Sequence, residues 1–119
     1  MTYLTGTIAA VPTDRRADYI EHARRAWPLF RERGATRMVE TWGDDVPHGK
    51  RTDFYRATEA QPGETIVFSW IEWPDRATAD AAWAAMQADP TLEERMGAMP
   101  FDGQRMIWGG FAPLLDERA

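Results

Sequence analysis

Two glutamates lie within apolar segments that alternate in the manner of β-strands, and their carboxylates are the first candidates for chemistry. Glu40 lies in Ala35–Trp42 and Glu72 in Glu64–Trp73, each with aromatic residues on its own side of the strand. If the strand register brings the two together, they share an aromatic-lined interior. The pKa of one carboxyl then rises, which suits general acid–base catalysis.

An ion pair with an arginine is the structural alternative for each of these glutamates. The candidate partners are Arg37, Arg56 and Arg105. We favour this alternative, because structural ion pairs perturb pKa values as catalytic carboxylates do. Local patterns do not encode the strand register that would decide between them.

His22 is the third candidate acid or base. It lies at the border of the apolar stripe of a helix predicted over Asp14–Arg33, from which an imidazole can reach a pocket. Most histidines at such borders are simply hydrogen-bonded or hydrated. Ser69 is the only serine, and it lies mid-strand without a nucleophile elbow, so the sequence excludes a serine-hydrolase triad.

Six tryptophans in 119 residues offer flat apolar surface to an aromatic ligand. The candidate ligand-binding residues are Trp27, Trp42, Trp70, Trp108 and Arg105. Core packing and a subunit interface are the alternative use of these indoles, and we expect most of them there.

One loop contains the side chains that could hold a hard metal ion, although we predict neither a metal site nor a cofactor. Its candidate ligands are Asp44, Asp45, His48 and Asp53. No spacing template for a metal matches them, and loops rich in aspartate are usually solvated turns. The chain has no cysteine, which excludes thiolate nucleophiles, cysteine metal sites and disulfides.

Composition and charge narrow the function classes further. The length fits one compact domain over residues 1–119, and the formal net charge of −5 disfavours binding to nucleic acid or anionic lipid. The sequence shows no signal peptide and no apolar run long enough for a membrane span. We therefore expect a soluble, cytoplasmic protein.

Hydrophobic periodicity predicts alternating strands and helices. The predicted strands are Tyr3–Val11, Ala35–Trp42, Glu64–Trp73 and Gln104–Leu114, and Asp53–Glu59 is a candidate for a further strand. The predicted helices are Asp14–Arg33, capped by Thr13 and kinked or split at Pro28, and a second that Asp75 caps and Asp89-Pro90 ends. Thr91–Met96 adds a further helical turn.

This order predicts an α+β fold of the ferredoxin-like βαββαβ type, with an antiparallel sheet and both helices on one face. The strand Glu64–Trp73 is apolar on both sides, and the last strand also points large apolar groups to both sides through Met106, Ile107, Trp108 and Phe111. A soluble monomer rarely exposes so large an apolar patch. We therefore predict a homodimer that pairs through its sheet faces.

Five motifs resemble the YbaA-like family of small bacterial proteins. They are Val46–Lys50, Thr52–Phe54, Val67–Pro74, Asp89–Pro90 and Met99–Phe111, within a resemblance that extends from Tyr3 to about Asp116. The resemblance implies a ferredoxin-like fold of the dimeric α/β barrel type. The family has no established reaction, so the resemblance assigns no catalytic residue.

Three functional hypotheses follow. The first is a homodimer that binds a small aromatic or polar metabolite. The second is a cofactor-independent enzyme of mono-oxygenase, isomerase or lyase type, with Glu40 or Glu72 as acid or base and the substrate held by Trp70 and Trp108; it rests on analogy of fold. An RNA-associated role comes third, because the net charge opposes it. Whether the protein is an enzyme stays open at this point.

Overall fold

The structure, a computed structural model, describes residues 2–119. Its elements in chain order are β1 (Tyr3–Pro12), α1 (Arg16–Arg31), β2 (Arg37–Glu40), α2 (Phe54–Ala57), β3 (Glu64–Trp73), α3 (Arg76–Gln87), α4 (Leu92–Met96) and β4 (Ile107–Phe111). Short 3₁₀ turns precede α1 and β4. None of the helices within residues 2–119 is long and apolar enough to cross a bilayer.

The four strands form one antiparallel sheet in the order β2-β3-β1-β4. β1 pairs with β3 along its whole length, from Tyr3 opposite Trp73 to Pro12 opposite Glu64. The two long strands therefore form the centre, and the short strands β2 and β4 form the edges. This arrangement confirms the predicted α+β, ferredoxin-like fold.

The hydrophobic core lies between the sheet and the two long helices, both on one face of the sheet. Leu29 of α1 and Ala82 of α3 are 1% and 2% exposed, and they pack in one cluster with the fully buried Trp73 of β3. The Trp73 indole N–H donates to Thr5 Oγ1 at 3.0 Å, so its polar atom is satisfied inside the core. We call this side of the sheet the helix face.

The other side, which we call the open face, is bordered at one end by the segment after β4 and covered at the other by the loop after β2. There the loop after β2 lies against Ile66, which is 3% exposed, and Phe54 of α2 packs edge-on against Phe68 with ring centroids 6.4 Å apart. The remainder carries apolar side chains on three strands. They are Leu4, Ile8, Phe68, Trp70, Ile107 and Phe111. We call these six residues the apolar sheet surface.

The strand predicted over Asp53–Glu59 is wrong, because this segment contains α2. The Asp53 carboxylate accepts a hydrogen bond from the backbone N–H of Arg56 at 2.8 Å and caps the helix. A side chain that satisfies a free N–H in this way favours a helical turn over an extended strand. Asp75 caps α3 as predicted, accepting from the Thr78 N–H at 2.7 Å.

Thr13 does not cap the first helix. Its hydroxyl instead forms a hydrogen bond with Thr65 Oγ1 at 2.7 Å, and a 3₁₀ turn over Thr13–Arg15 precedes α1. α1 continues through Pro28 to Arg31, so the helix is not split.

The two edge strands are shorter than predicted. β2 spans Arg37–Glu40 within the predicted Ala35–Trp42, and β4 spans Ile107–Phe111 within the predicted Gln104–Leu114. A 3₁₀ turn over Gly103–Arg105 occupies the start of the predicted last strand. Within β4, Gly110 leaves room for the ring of Tyr3, because a Cβ at this glycine would overlap the phenol.

Leu29 provides a test of this core. Leu29→Ala should lower the free energy of unfolding by about 2–5 kcal/mol, because it removes buried apolar volume and leaves a cavity. Leu114 is 101% exposed, so the matched change Leu114→Ala should stay within about 0.5 kcal/mol of the unmodified protein. Urea denaturation of the three proteins measures both values. Equal losses in the two variants would contradict the packing described here.

Candidate functional site

A groove lies between α1 and the edge strand β2, on the helix face of the sheet. α1 contributes Ile20, Ala23 and Trp27, which share one side of the helix because they are three and four residues apart. Met38 of β2 forms part of the opposite wall. The groove encloses about 620 Å³, a volume suited to a small organic molecule. We call it the α1–β2 groove.

Three hydrogen-bonding side chains meet beside this apolar wall. Tyr19 Oη donates to Glu40 Oε1 at 2.6 Å, and Ser69 Oγ donates to the same carboxylate oxygen. The two donors are 8% and 3% exposed, whereas Glu40 itself is exposed and lines the groove together with Tyr19. We find no hydrogen bond to Glu40 Oε2 from any side chain in residues 2–119, so this oxygen is available to a ligand.

Sheet register explains why these groups meet. Glu40 of β2 lies directly opposite Ser69 of β3, and both point to the helix face. Tyr19 lies in the first turn of α1, which crosses that face. Its phenol therefore contacts the Glu40 carboxylate from the helix side of the sheet.

Electrostatics keep Tyr19 as the proton donor of this cluster. Burial raises the pKa of the Tyr19 phenol well above its usual value, and the negative charge of Glu40 raises that pKa further. A phenolate here would lack water and lie beside a carboxylate. The phenol therefore stays protonated and holds Glu40 in place.

His22 lies one helical turn beyond Tyr19, with ring centroids 6.3 Å apart, and meets Phe101 edge-on at 5.9 Å. Its Nδ1 is buried and has no hydrogen-bond partner within residues 2–119. Burial lowers the pKa of His22, and the Arg25 charge lowers it further, so the neutral imidazole is favoured. His22 is not among the described residues that line the groove, which separates it from Glu40 as a candidate acid or base.

Glu72 lies on the opposite side of the sheet from Glu40. Glu72 pairs with Arg37 in the sheet and follows Ser69 by three residues on β3. Because successive side chains of a strand point to opposite faces, the side chain of Glu72 lies on the open face. The hypothesis of two carboxylates sharing one interior is therefore wrong. Arg37 Nη1 instead contacts Glu72 Oε2 at 3.3 Å, which is the structural ion pair weighed above for this glutamate.

The four candidate tryptophans lie in different surroundings, and two of them are near the groove. Trp27 lines it. Trp42 packs near Tyr19, with ring centroids 6.5 Å apart, and the Arg16 guanidinium lies 5.9 Å from the centroid of the Trp42 ring. Trp42 thus supports the polar cluster from the side.

The other two, Trp70 and Trp108, are not among the described residues that line the α1–β2 groove. Trp70 lies on the open face and donates its indole N–H to Glu72 Oε2 at 3.0 Å. Trp108 is 65% exposed on the edge strand β4, with its ring 6.3 Å from that of Trp83 in α3. Both tryptophans nevertheless line one apolar depression over β1, β3 and β4, so their joint role in holding a substrate stays a prediction.

Arg105 has a structural role in place of the predicted ligand contact. Its guanidinium donates to both Glu64 carboxylate oxygens at 2.8 Å, to the Glu59 carbonyl at 2.8 Å and to Asp102 at 3.1 Å. These hydrogen bonds raise the pKa of Arg105 and lower that of Glu64. They fix the turn before β4 to the start of β3 and use four of the five N–H donors of the guanidinium.

The acidic loop is likewise organised by local structure. Asp53 caps α2, and His48 stacks on Tyr55 with ring centroids 4.3 Å apart. Across residues 2–119, no three histidine, aspartate or glutamate side chains are grouped so as to hold a metal ion. The set that also includes Asp44 and Asp45 is thus not assembled.

Sequence reasoning missed the role of Tyr19, which it treated as an ordinary member of the apolar stripe. The available signal was a phenol on the core side of a helix that must pack on a strand bearing Glu40. A buried phenol needs a hydrogen-bond acceptor, and the Glu40 carboxylate supplies it here.

Comparison with known proteins places these residues in a family. The chain matches the family model described as "Protein of unknown function (DUF1428)" over residues 2–103. It belongs to this family. It is also 50% identical over 117 residues to the uncharacterised protein YbaA of Escherichia coli (strain K12), across 98% of this chain and 100% of that one, and equally to YbaA of Shigella flexneri. These matches confirm the resemblance to YbaA-like proteins.

A solved structure shows the same fold. A dimeric ferredoxin-like protein from an uncultured marine organism superposes with a TM-score of 0.54 at 12% identity, over 99% of this chain and 98% of that one. At this level of identity the similarity concerns the fold alone.

The buried phenol predicts a specific alkaline behaviour. Because the pKa of Tyr19 is raised above its unfolded value of about 10, the stability it contributes is complete below that pH and is lost as the pH rises beyond it. Tyr19→Phe should therefore lose less unfolding free energy than the unmodified protein between about pH 9.5 and 11. Urea denaturation across this range measures the two slopes.

A spectrophotometric titration provides the control. The tyrosinate absorbance of the two proteins should differ in strong denaturant but not while they are folded. Equal slopes in the denaturation series, or a difference already present in the folded proteins, would contradict a buried, protonated Tyr19.

Proposed function

We propose that this protein is a homodimeric ferredoxin-like domain that binds a small molecule in the α1–β2 groove. The observation that carries the proposal is the Glu40 carboxylate. Buried hydroxyls from two other elements hold one of its oxygens, while the residue itself is exposed in a groove with apolar walls. A fixed polar group within an apolar concavity is the usual composition of a small-molecule site.

Glu40 is preorganised, and this favours binding over a purely structural role. A carboxylate that only needed water would not require two hydroxyls of low exposure to orient it. Because Tyr19 and Ser69 fix Oε1, a ligand that uses Oε2 loses little additional side-chain entropy on binding.

The dimer follows from the apolar sheet surface, with a second copy of the chain as its occupant. Phe68 of β3 is 47% exposed, and Ile107 and Phe111 of β4 are 41% and 59% exposed, on the two strands that flank β1. Each square ångström of apolar surface removed from water contributes roughly 25 cal/mol. The solved relative of the same fold is described as dimeric, which supports the same assembly here.

Fragment binding tests the groove. A library of small polar aromatic fragments, screened by NMR against the ¹⁵N-labelled protein, should shift the amide signals of Ala23, Trp27 and Met38. Glu40→Gln should weaken the fragments that carry a hydrogen-bond donor by about tenfold, because a charged acceptor is replaced by a neutral one. Glu93 is exposed on α4, and Glu93→Gln serves as the matched control that should leave binding unchanged. Hits confined to the open face, or an equal effect of both variants, would refute the proposal.

Sedimentation tests the dimer. The unmodified protein should sediment at micromolar concentration as twice its 13.6 kDa monomer mass. Phe68→Asp should shift it to the monomer, because each interface would then bury an unpaired charge. Leu114→Asp introduces the same charge at an apolar residue outside the sheet and should leave the dimer intact. A folded, unmodified protein that sediments as a monomer would eliminate the proposed assembly.

A further inference from the structure

The charges around the α1–β2 groove are of two kinds and lie at different positions. Glu40 contributes a carboxylate with one oxygen free of hydrogen bonds, as described above. Arg24 of α1 lines the groove, is exposed and forms no ion pair or side-chain hydrogen bond with any residue of the described range 2–119. The other arginine of the groove wall, Arg37, is already paired with Glu72. Arg24 is therefore the cation of this groove with which an anionic ligand group can pair.

The two charged groups line the same groove but are contributed by different elements, Arg24 by α1 and Glu40 by β2. Tyr19 reaches Glu40, and Arg24 follows Tyr19 by five positions, which corresponds to ~7.5 Å along a helix at 1.5 Å per residue. Between these two positions α1 contributes Ile20 and Ala23 to an apolar wall, and Trp27 extends this wall three residues beyond Arg24.

We propose that the α1–β2 groove selects an aromatic carboxylate that carries a hydrogen-bond donor, such as a hydroxyl, on the far side of its ring. The anionic group pairs with Arg24, the ring packs against Trp27 and the donor reaches Glu40 Oε2. This assignment rests on the proposed function and adds the chemical class of the ligand to it. It follows from charge complementarity, since each end of such a molecule satisfies a group that the protein leaves unsatisfied.

Three probes separate the contributions of the two ends. 4-Hydroxybenzoate has both the anion and the donor, benzoate lacks the donor and 4-methylphenol lacks the anion. NMR titration of the labelled protein at neutral pH should show 4-hydroxybenzoate binding about tenfold more tightly than either of the others, because each deletion removes one charge-assisted hydrogen bond.

Two substitutions connect each end to its residue. Arg24→Gln should weaken 4-hydroxybenzoate and benzoate by about tenfold and leave 4-methylphenol unchanged. Glu40→Gln should abolish most of the preference for 4-hydroxybenzoate over benzoate. Arg31 is exposed on α1 and Glu93 on α4, so Arg31→Gln and Glu93→Gln provide the matched controls. Thermal unfolding verifies that all four variants are folded.

The outcomes distinguish the two proposals. If neutral fragments shift the amide signals of the groove while the three probes bind equally, the ligand class is wrong and the binding function stands. If neither the fragments nor the probes shift those signals, both proposals fail. If Arg24→Gln affects the probes no more than Arg31→Gln does, the assignment of the anion to Arg24 is overturned.

Discussion

The side chains of β3 point alternately to the two faces of the sheet, and the rest of the structure depends on this constraint. This strand is apolar on both sides, so each face of the sheet must exclude water by a different means. α1 and α3 cover the side that carries Val67 and Trp73, both fully buried. On the other side the loop after β2 and α2 reach Ile66 and Phe68, and the segment after β4 borders Leu4 and Trp70 at the opposite end. The chain thus covers one face by itself and leaves much of the other exposed.

The same alternation decides which polar groups meet. Ser69 and Glu72 are three residues apart on β3 and consequently lie on opposite faces, and the register of β2 assigns one glutamate to each. Glu40 joins Ser69 beneath α1, whereas Glu72 pairs with Arg37 on the open side. A shift of this register by one residue would exchange the faces and dismantle the groove cluster. The site therefore depends on the pairing of a strand only four residues long.

The sequence predicted the long elements well, because their periodic patterns extend over enough residues to be distinctive. β1, β3 and α3 lie where expected, and the Asp75 cap was recognised from residue type and position. The segment Asp53–Glu59 was mistaken for a strand, since its few residues fit both periods and the Asp53 cap overrode the apparent alternation. A short segment contains too few residues for its hydrophobic pattern to distinguish a helix from a strand.

The candidate site was less accessible to sequence reasoning, and the reason is physical. Glu40 was identified as a candidate, but its partners Tyr19 and Ser69 are 21 and 29 residues away, so only tertiary packing reveals the hydrogen bonds. Arg105 looked equally free for a ligand, yet the turn before β4 brings it to Glu64. A sequence identifies the individual polar residues, whereas the hydrogen bonds between them depend on strand register and helix placement.

The two edge strands explain why association through the sheet face is the route that remains open. β2 is four residues long and has exposed charged side chains at both ends, Arg37 and Glu40, which discourage lateral pairing with another sheet. β4 is five residues long and contains two adjacent glycines, which disfavour its pairing with a strand of another molecule. Growth along the edges is thereby disfavoured while the apolar sheet surface stays accessible. Because the α1–β2 groove lies on the opposite face, a second copy can cover the open face without obstructing the groove.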